Sequence, residues 1–91
     1  MFKTAQTNNR PGFSMTFANG WTISVQWHQG AYCDGRHSEN AESANAEIAI
    51  WDYNGDWCNF GNDQVKGYCT PDEVLNWMEF TAKQSPVDSQ D

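Results

Sequence analysis

Residues 13–27 read FSMTFANGWTISVQW. Apolar and polar side chains alternate on both sides of the Asn19-Gly20 step, which is typical of two β-strands joined by a tight turn. A two-residue loop would leave each face of the hairpin half polar, whereas a three-residue loop with Gly20 in the left-handed conformation makes one face wholly apolar. The stretch therefore predicts a hairpin in which Met15 lies opposite Ile23.

Residues 46–60 repeat this pattern as AEIAIWDYNGDWCNF. A three-residue loop ending at Gly55 predicts a return strand at residues 57–60, with Trp51 opposite Trp57 and Ile48 opposite Phe60. It also places Asp52 at the first position of a type I turn, where a carboxylate can accept a backbone N–H. The two indoles would stack on the face that carries no isoleucine. They are either a structural cover or a binding surface.

The clearest helix signal is the sequence that begins at Thr70. Thr70 is the predicted N-cap, Pro71 the first helical residue, and Glu73 the partner that completes a capping box. The predicted apolar stripe of this helix consists of Val74, Leu75, Trp77, Met78 and Ala82. A helix with one such stripe must cover the apolar face of the sheet.

These elements predict an α+β fold with a single antiparallel sheet of two β-hairpins plus a short fifth strand at residues 64–68, covered by one C-terminal helix. The 91 residues are expected to form a single domain with an ordered core at about 12–84. Residues 1–11 are predicted to be a loosely held arm, and residues 85–91 a disordered tail.

The formal net charge of -7 argues against binding to nucleic acid or to an anionic membrane, because both depend on Lys and Arg. It permits a protein partner with a basic surface. No apolar run reaches the roughly 18–20 residues of a membrane span, and no secretory signal is visible. The three cysteines are expected to be reduced thiols in a cytoplasm.

Between the hairpins, residues 28–45 form a connection far longer than the usual 4–6 residues or so, which is typical of a functional loop. Five candidate binding residues cluster at its start: Trp27, His28, Tyr32, Arg36 and His37. Aromatic faces beside an arginine can stack a base and hold a phosphate or carboxylate. The alternative is that Arg36 pairs with a local acid and that Tyr32 fills the core. Trp51 and Trp57 are the other candidate binding residues.

No catalytic or metal site is predicted. Cys33 and His37 are four residues apart, but no second close pair of ligands completes a zinc site. Cys33 could be a nucleophile beside Arg36, yet no oxyanion donor or orienting group is identifiable. The chain also lacks a phosphate-binding Gly-rich loop. We therefore expect neither an enzyme nor a cofactor.

Three segments carry a resemblance to a known family: F-x-N-G-W-T-x-S-V-Q-W at 17–27, G-x-Y-C-x-x-R at 30–36 and A-E-I-A-I-W-D-x-N-G-x-W at 46–57. Over residues 17–78 the chain resembles small accessory proteins of tailed phages, a family with no assigned chemistry. The resemblance implies a phage-encoded protein that acts in the bacterial host cytoplasm.

The leading functional hypothesis is a non-enzymatic binding protein that inhibits a host defence factor by protein–protein contact, as anti-CRISPR proteins do. The alternative is a binder, or sponge, of a small nucleotide-like immune signal. A third possibility is a virion-associated or structural accessory protein. The oligomeric state is left open.

Overall fold

The computed structural model describes residues 1–3, 11–28, 30–35 and 42–85. Its elements are β1 (Phe2–Lys3), β2 (Gly12–Thr16), β3 (Thr22–Gln26), β4 (Glu42–Ser43), β5 (Ala46–Trp51), β6 (Lys66–Cys69) and α1 (Pro71–Ala82). Every strand pair is antiparallel. The α+β class is therefore confirmed.

The prediction of a single sheet is wrong, because the strands form two sheets. Strands β2, β3, β5 and β6 form one sheet in the order β2-β3-β5-β6, and β1 pairs with β4 in a separate two-stranded sheet. The sequence gives no sign of β1, since a strand of two residues is too short to show alternation. Residues 4–10 of the predicted arm and residues 86–91 of the predicted tail lie outside the described residues.

The first hairpin has the predicted register. Met15 lies opposite Ile23, and Gly20 has a φ of +87°. The amide of Phe17 donates to the carbonyl of Trp21 at 2.9 Å, which closes the three-residue loop. The alternation of side chains and the left-handed glycine together determine this register.

The turn after β5 also has the predicted form. Asp52 accepts hydrogen bonds on Oδ1 from the amides of Asn54 and Asp56, at 2.8 and 3.0 Å. Gly55 is left-handed with a φ of +85°, and the amide of Gly55 donates to the Asp52 carbonyl. The carboxylate of Asp52 therefore fixes the loop between the two tryptophans.

The predicted return strand at residues 57–60 is wrong beyond its first two residues. Ile48, predicted to lie opposite Phe60, pairs instead with Lys66 of β6. Phe60 leaves the sheet and packs edge-on against Trp77 of α1, with 5.1 Å between the ring centroids. Phe60 contacts the helix instead of continuing the pairing with β5, and β6 occupies the position next to β5 in the sheet.

The helix begins as predicted. The Glu73 amide donates to Thr70 Oγ1 at 3.2 Å, and the Thr70 amide donates to Glu73 Oε1 at 2.8 Å, which completes the capping box. Pro71 is the first helical residue.

The buried stripe of α1 differs from the prediction at two positions. Val74 is buried, but Leu75 is 57% exposed and Ala82 is also exposed. The fully buried residue at the end of the helix is Thr81, whose hydroxyl donates to the carbonyl of Trp77 at 2.7 Å. A threonine can lie in the core because this bond satisfies the hydroxyl, the only donor of its side chain.

The core lies between α1 and one face of the larger sheet. Its buried members are Ile23, Val25, Trp27, Ala31, Cys33, Ala46, Ile48, Ile50, Cys69 and Val74. The isoleucines and Val25 occupy alternate positions on β3 and β5, so the residues between them lie on the opposite face of the sheet. That opposite face carries Trp51.

The loop of the first hairpin holds the end of the helix. Asn19 is only 7% exposed, and its Nδ2 donates to the carbonyls of Thr81 and Gln84 at 2.9 and 3.0 Å. Its Oδ1 accepts a hydrogen bond from the Trp21 amide at 3.0 Å. Asn19 therefore donates to two carbonyl groups at the C-terminal end of the helix, where the amide donors of the next helical turn are missing.

Candidate binding surfaces

The predicted cluster at the start of the long loop is divided by the fold. Trp27 is 6% exposed, and its ring contacts Phe2 and Phe13 with centroid distances of 5.3 and 6.1 Å. Its indole N–H has no hydrogen-bond partner among the described residues. Trp27 is thus part of the core and presents no free face on which a ligand could stack.

The other members of the cluster lie in different surroundings. His28 is half-buried, and its carbonyl accepts a hydrogen bond from the Ala31 amide at 3.0 Å. Tyr32 is 48% exposed, so it does not fill the core. Arg36 and His37 lie outside the described residues. Of the three members that the structure describes, Tyr32 is the one on an open surface.

Tyr32 lines a shallow cleft with a volume of about 190 Å³. We call this feature the tyrosine cleft, and its lining residues are Tyr32, Asp63, Val65, Gly67 and Tyr68. Tyr68 is 51% exposed, so both aromatic side chains are open to solvent. The cleft lies at the β6 edge of the larger sheet.

Backbone contacts fix the two tyrosines relative to each other. The Tyr68 amide donates to the Tyr32 carbonyl at 2.9 Å. A Cβ on Gly67 would lie 2.7 Å from the Cβ of Tyr32, so only glycine allows this close approach. Tyr68 has a φ of +58°, which is an outlier for a bulky side chain and marks a candidate functional position.

Trp51 and Trp57 form a second exposed aromatic feature, which we call the tryptophan pair. Their rings are stacked with 5.1 Å between the centroids and an interplanar angle of 22°. Trp57 is 44% exposed, and Tyr53 in the intervening loop is 39% exposed. The structure therefore brings these two predicted residues together, on the face of the sheet that α1 does not cover.

Hydroxyl groups lie beside the tryptophan pair. Thr22 is opposite Trp51 in the register, and its hydroxyl lies 2.8 Å from that of Thr16. Thr22 is 7% exposed although it is on the outer face. An aromatic platform bordered by hydroxyl groups is amphipathic, as binding surfaces commonly are.

The cysteines are poorly placed for thiol chemistry. Cys33 and Cys69 are buried, at 1% and 0% exposure. Burial raises the pKa of the Cys69 thiol above its usual value near 9; the Lys66 ammonium opposes this shift, and the Glu73 carboxylate adds to it more weakly. Burial and then the nearby Asp52 carboxylate raise the pKa of the Cys58 thiol. For Cys58 and Cys69 a raised pKa favours the protonated thiol over the nucleophilic thiolate.

Neither a metal site nor a membrane span is found in the described part of the chain. Among residues 1–3, 11–28, 30–35 and 42–85, no three His, Cys, Asp or Glu side chains converge in a way that could hold a metal ion. The same residues contain no helix with the length and apolar character needed to cross a membrane.

The residues of the tyrosine cleft other than Tyr32 were not anticipated from the sequence. Asp63 and Val65 precede β6 and carry no local signal. Gly67 does carry one, since an isolated glycine in a strand often marks a close approach of two backbones. What could not be read from the sequence is which backbone approaches it.

Comparison of the chain with protein-family models, with curated proteins and with solved structures found no match in any of the three. The function must therefore be argued from the two exposed aromatic features and from the charge of the chain.

Proposed function

We propose that this chain is a small, phage-encoded, non-enzymatic binding protein that inhibits a host defence factor by protein–protein contact, in the manner of an anti-CRISPR protein. The observation that carries the proposal is the tryptophan pair, a stacked and partly exposed aromatic platform on the uncovered face of the sheet.

The tryptophan pair has the chemistry of a protein-binding hot spot. Tryptophan, tyrosine and arginine dominate the energetics of protein interfaces, and Trp51, Tyr53 and Trp57 lie within seven residues of each other. The Asp52 carboxylate holds the loop between them through two backbone amides. A platform that is ordered before binding loses little conformational entropy when a partner arrives.

The charge of the chain favours a partner with a basic surface. The net charge of -7 would accelerate the encounter of the two proteins. Acidic residues lie on separate parts of the fold, for example Asp34 in the long loop, Glu47 on β5 and Glu79 on α1. Such a distribution supports recognition through an aromatic contact with electrostatic steering, rather than mimicry of a DNA strand.

The alternative of a nucleotide-binding protein receives less support from the described residues. The tyrosine cleft, at about 190 Å³, is smaller than the roughly 300–1,000 Å³ of typical small-molecule sites. Its one charged lining residue is Asp63, which would repel a phosphate.

The test is affinity capture from host cells with the wild-type chain and two variants. Trp57→Ala removes the exposed half of the tryptophan pair. Leu75→Ala is the matched control, because Leu75 is an exposed apolar residue, 57% accessible, on the helix. We expect a host protein that the wild type and Leu75→Ala retain and that Trp57→Ala loses.

Loss of fold must be separated from loss of contact. Stacking adds about 0.5–1.5 kcal/mol to what the buried area of the rings contributes, and Trp57 is already 44% exposed, so Trp57→Ala should remain folded. Circular dichroism and thermal unfolding of each variant provide this check. Retention of the same host proteins by Trp57→Ala and by the wild type would contradict the proposal.

A further inference from the structure

We propose that the tyrosine cleft binds the side chain of an arginine presented by a protein partner. The inference rests on the proposed function, because it names a chemical group that the basic partner would contribute, but it concerns a different surface from the tryptophan pair.

The lining of the cleft matches a guanidinium group. Tyr32 and Tyr68 supply two partly exposed aromatic rings, and an aromatic face attracts a cation within about 6 Å of its centroid. Asp63 supplies an exposed carboxylate in the same cleft. A guanidinium can lie against a ring and donate two parallel hydrogen bonds to a carboxylate, which the ammonium group of lysine cannot do.

The size of the cleft favours one side chain as its occupant. Its volume of about 190 Å³ falls below that of sites that enclose whole cofactors or nucleotides. A long side chain that extends from another protein needs to bury only its end group there. The aliphatic part of arginine can contact Val65, the one aliphatic side chain of the lining.

The cleft is preformed. The hydrogen bond from the Tyr68 amide to the Tyr32 carbonyl, at 2.9 Å, joins β6 to the loop that carries Tyr32. Gly67 admits the Tyr32 main chain at a distance that any Cβ would prevent. Tyr68 is held in a left-handed conformation, with a φ of +58°, that is costly for a tyrosine. Rigid aromatic groups held in this way bind at a low entropic cost.

The charge of the chain supports a cationic occupant. With twelve acidic and five basic residues, the protein attracts cations generally, and Asp63 makes the attraction local. Lys66 is close in sequence to Asp63 but does not line the cleft.

The test is an NMR titration of the ¹⁵N-labelled full chain with N-acetyl-arginine amide. The neutral citrulline analogue and the lysine analogue are titrated in parallel. We expect saturable shifts at the amides of Gly67 and Tyr68, with a Kd on the order of 1 mM for such a small probe. The citrulline analogue should give no saturation, and the lysine analogue should bind more weakly.

Variants assign the binding to the named groups. Asp63→Asn should weaken arginine binding about tenfold or more, because it removes a charge-assisted hydrogen bond. Asp56→Asn is the matched control, since Asp56 is an exposed acid in another turn, and it should bind like the wild type. Tyr68→Gly removes one ring while glycine retains a φ of +58° without strain, and it should weaken binding about threefold or more.

Three results would overturn the inference: no saturable shift in the cleft, equal weakening by Asp63→Asn and Asp56→Asn, or a lysine analogue that binds as tightly as the arginine analogue. None of these results would affect capture of a partner that depends on Trp57. Conversely, arginine binding in the cleft would stand even if Trp57→Ala retained every host protein, so the two proposals can fail separately.

Discussion

Replacement of Asn19 by alanine should be one of the most destabilising single changes in a loop of this protein. Asn19 makes three hydrogen bonds, two of them to the carbonyls of Thr81 and Gln84 at the end of the helix. If each of the three hydrogen bonds contributes about 0.5–1.5 kcal/mol net, the loss of stability is about 1.5–4.5 kcal/mol. The total stability of a domain of this size is only on the order of 5–14 kcal/mol.

Thermal unfolding followed by circular dichroism measures this loss. Each kcal/mol lowers the Tm of a small domain by about 4–8 °C, so Asn19→Ala should lower it by at least about 6 °C. Asn54→Ala is a matched control, because Asn54 also precedes a left-handed glycine in a three-residue loop, but its side chain is exposed. That variant should change the stability by less than about 0.5 kcal/mol.

Replacement of Asn19 by aspartate tests whether the side-chain amide of Asn19 is the donor to the two carbonyls at the helix end. The new carboxylate could still accept from the Trp21 amide, but it would face two carbonyl oxygens and the negative end of the helix dipole. Its pKa in the folded protein would be raised, so the variant should lose stability as the pH rises above about 4.

If Asn19→Ala and Asn54→Ala lowered the Tm by the same small amount, the linkage between the hairpin loop and the helix would be refuted.

Two further predictions concern Gly67 and the cysteines. Gly67→Ala should lower the free energy of unfolding in urea by about 1–3 kcal/mol, because the new Cβ would lie 2.7 Å from the Cβ and 3.0 Å from the carbonyl oxygen of Tyr32. An unchanged free energy of unfolding would mean that the two segments are not in close contact. The raised pKa values of the Cys58 and Cys69 thiols predict that the free energy of unfolding is undiminished below pH 9 and falls as the pH rises above it. The reason is that these thiols lose their protons at a lower pH in the unfolded chain than in the folded protein. Urea unfolding at pH 7.5 and pH 10 should show a smaller loss for the double variant Cys58→Ala/Cys69→Ala than for the wild type, and an equal loss would contradict this assignment.

The parts of the fold that depend on residues close together in the sequence could be predicted from the sequence pattern. The hairpin register followed from alternation and Gly20, and the start of the helix followed from the capping box at Thr70 and Glu73. Both depend on residues a few positions apart. The α+β class followed because one amphipathic helix must cover one apolar sheet face.

The features that local patterns missed depend on contacts between distant residues. Asn19 and Asn54 occur in the same type of turn, yet Asn19 alone meets the helix end, 62 residues away. Phe60 leaves the sheet because Trp77 offers a ring contact from the helix. Trp27 was expected on a binding surface because other aromatic and basic residues follow it within ten positions, but Phe2 and Phe13 cover it.

The same distinction applies to the candidate surfaces. The tryptophan pair could be predicted because a short hairpin turn brings its members together. The tyrosine cleft could not, because it joins a loop residue to a strand 35 residues later and depends on a backbone conformation that tyrosine rarely adopts.

The most direct test of the proposed function is the efficiency of plating of a sensitive phage on bacteria that each carry one defence system and express this chain. We expect the wild type and Leu75→Ala to raise the plating efficiency on at least one such host, whereas Trp57→Ala, folded and equally abundant, should not. Plating restored equally by the wild type and by Trp57→Ala, or restored on none of the hosts, would contradict inhibition through the tryptophan pair.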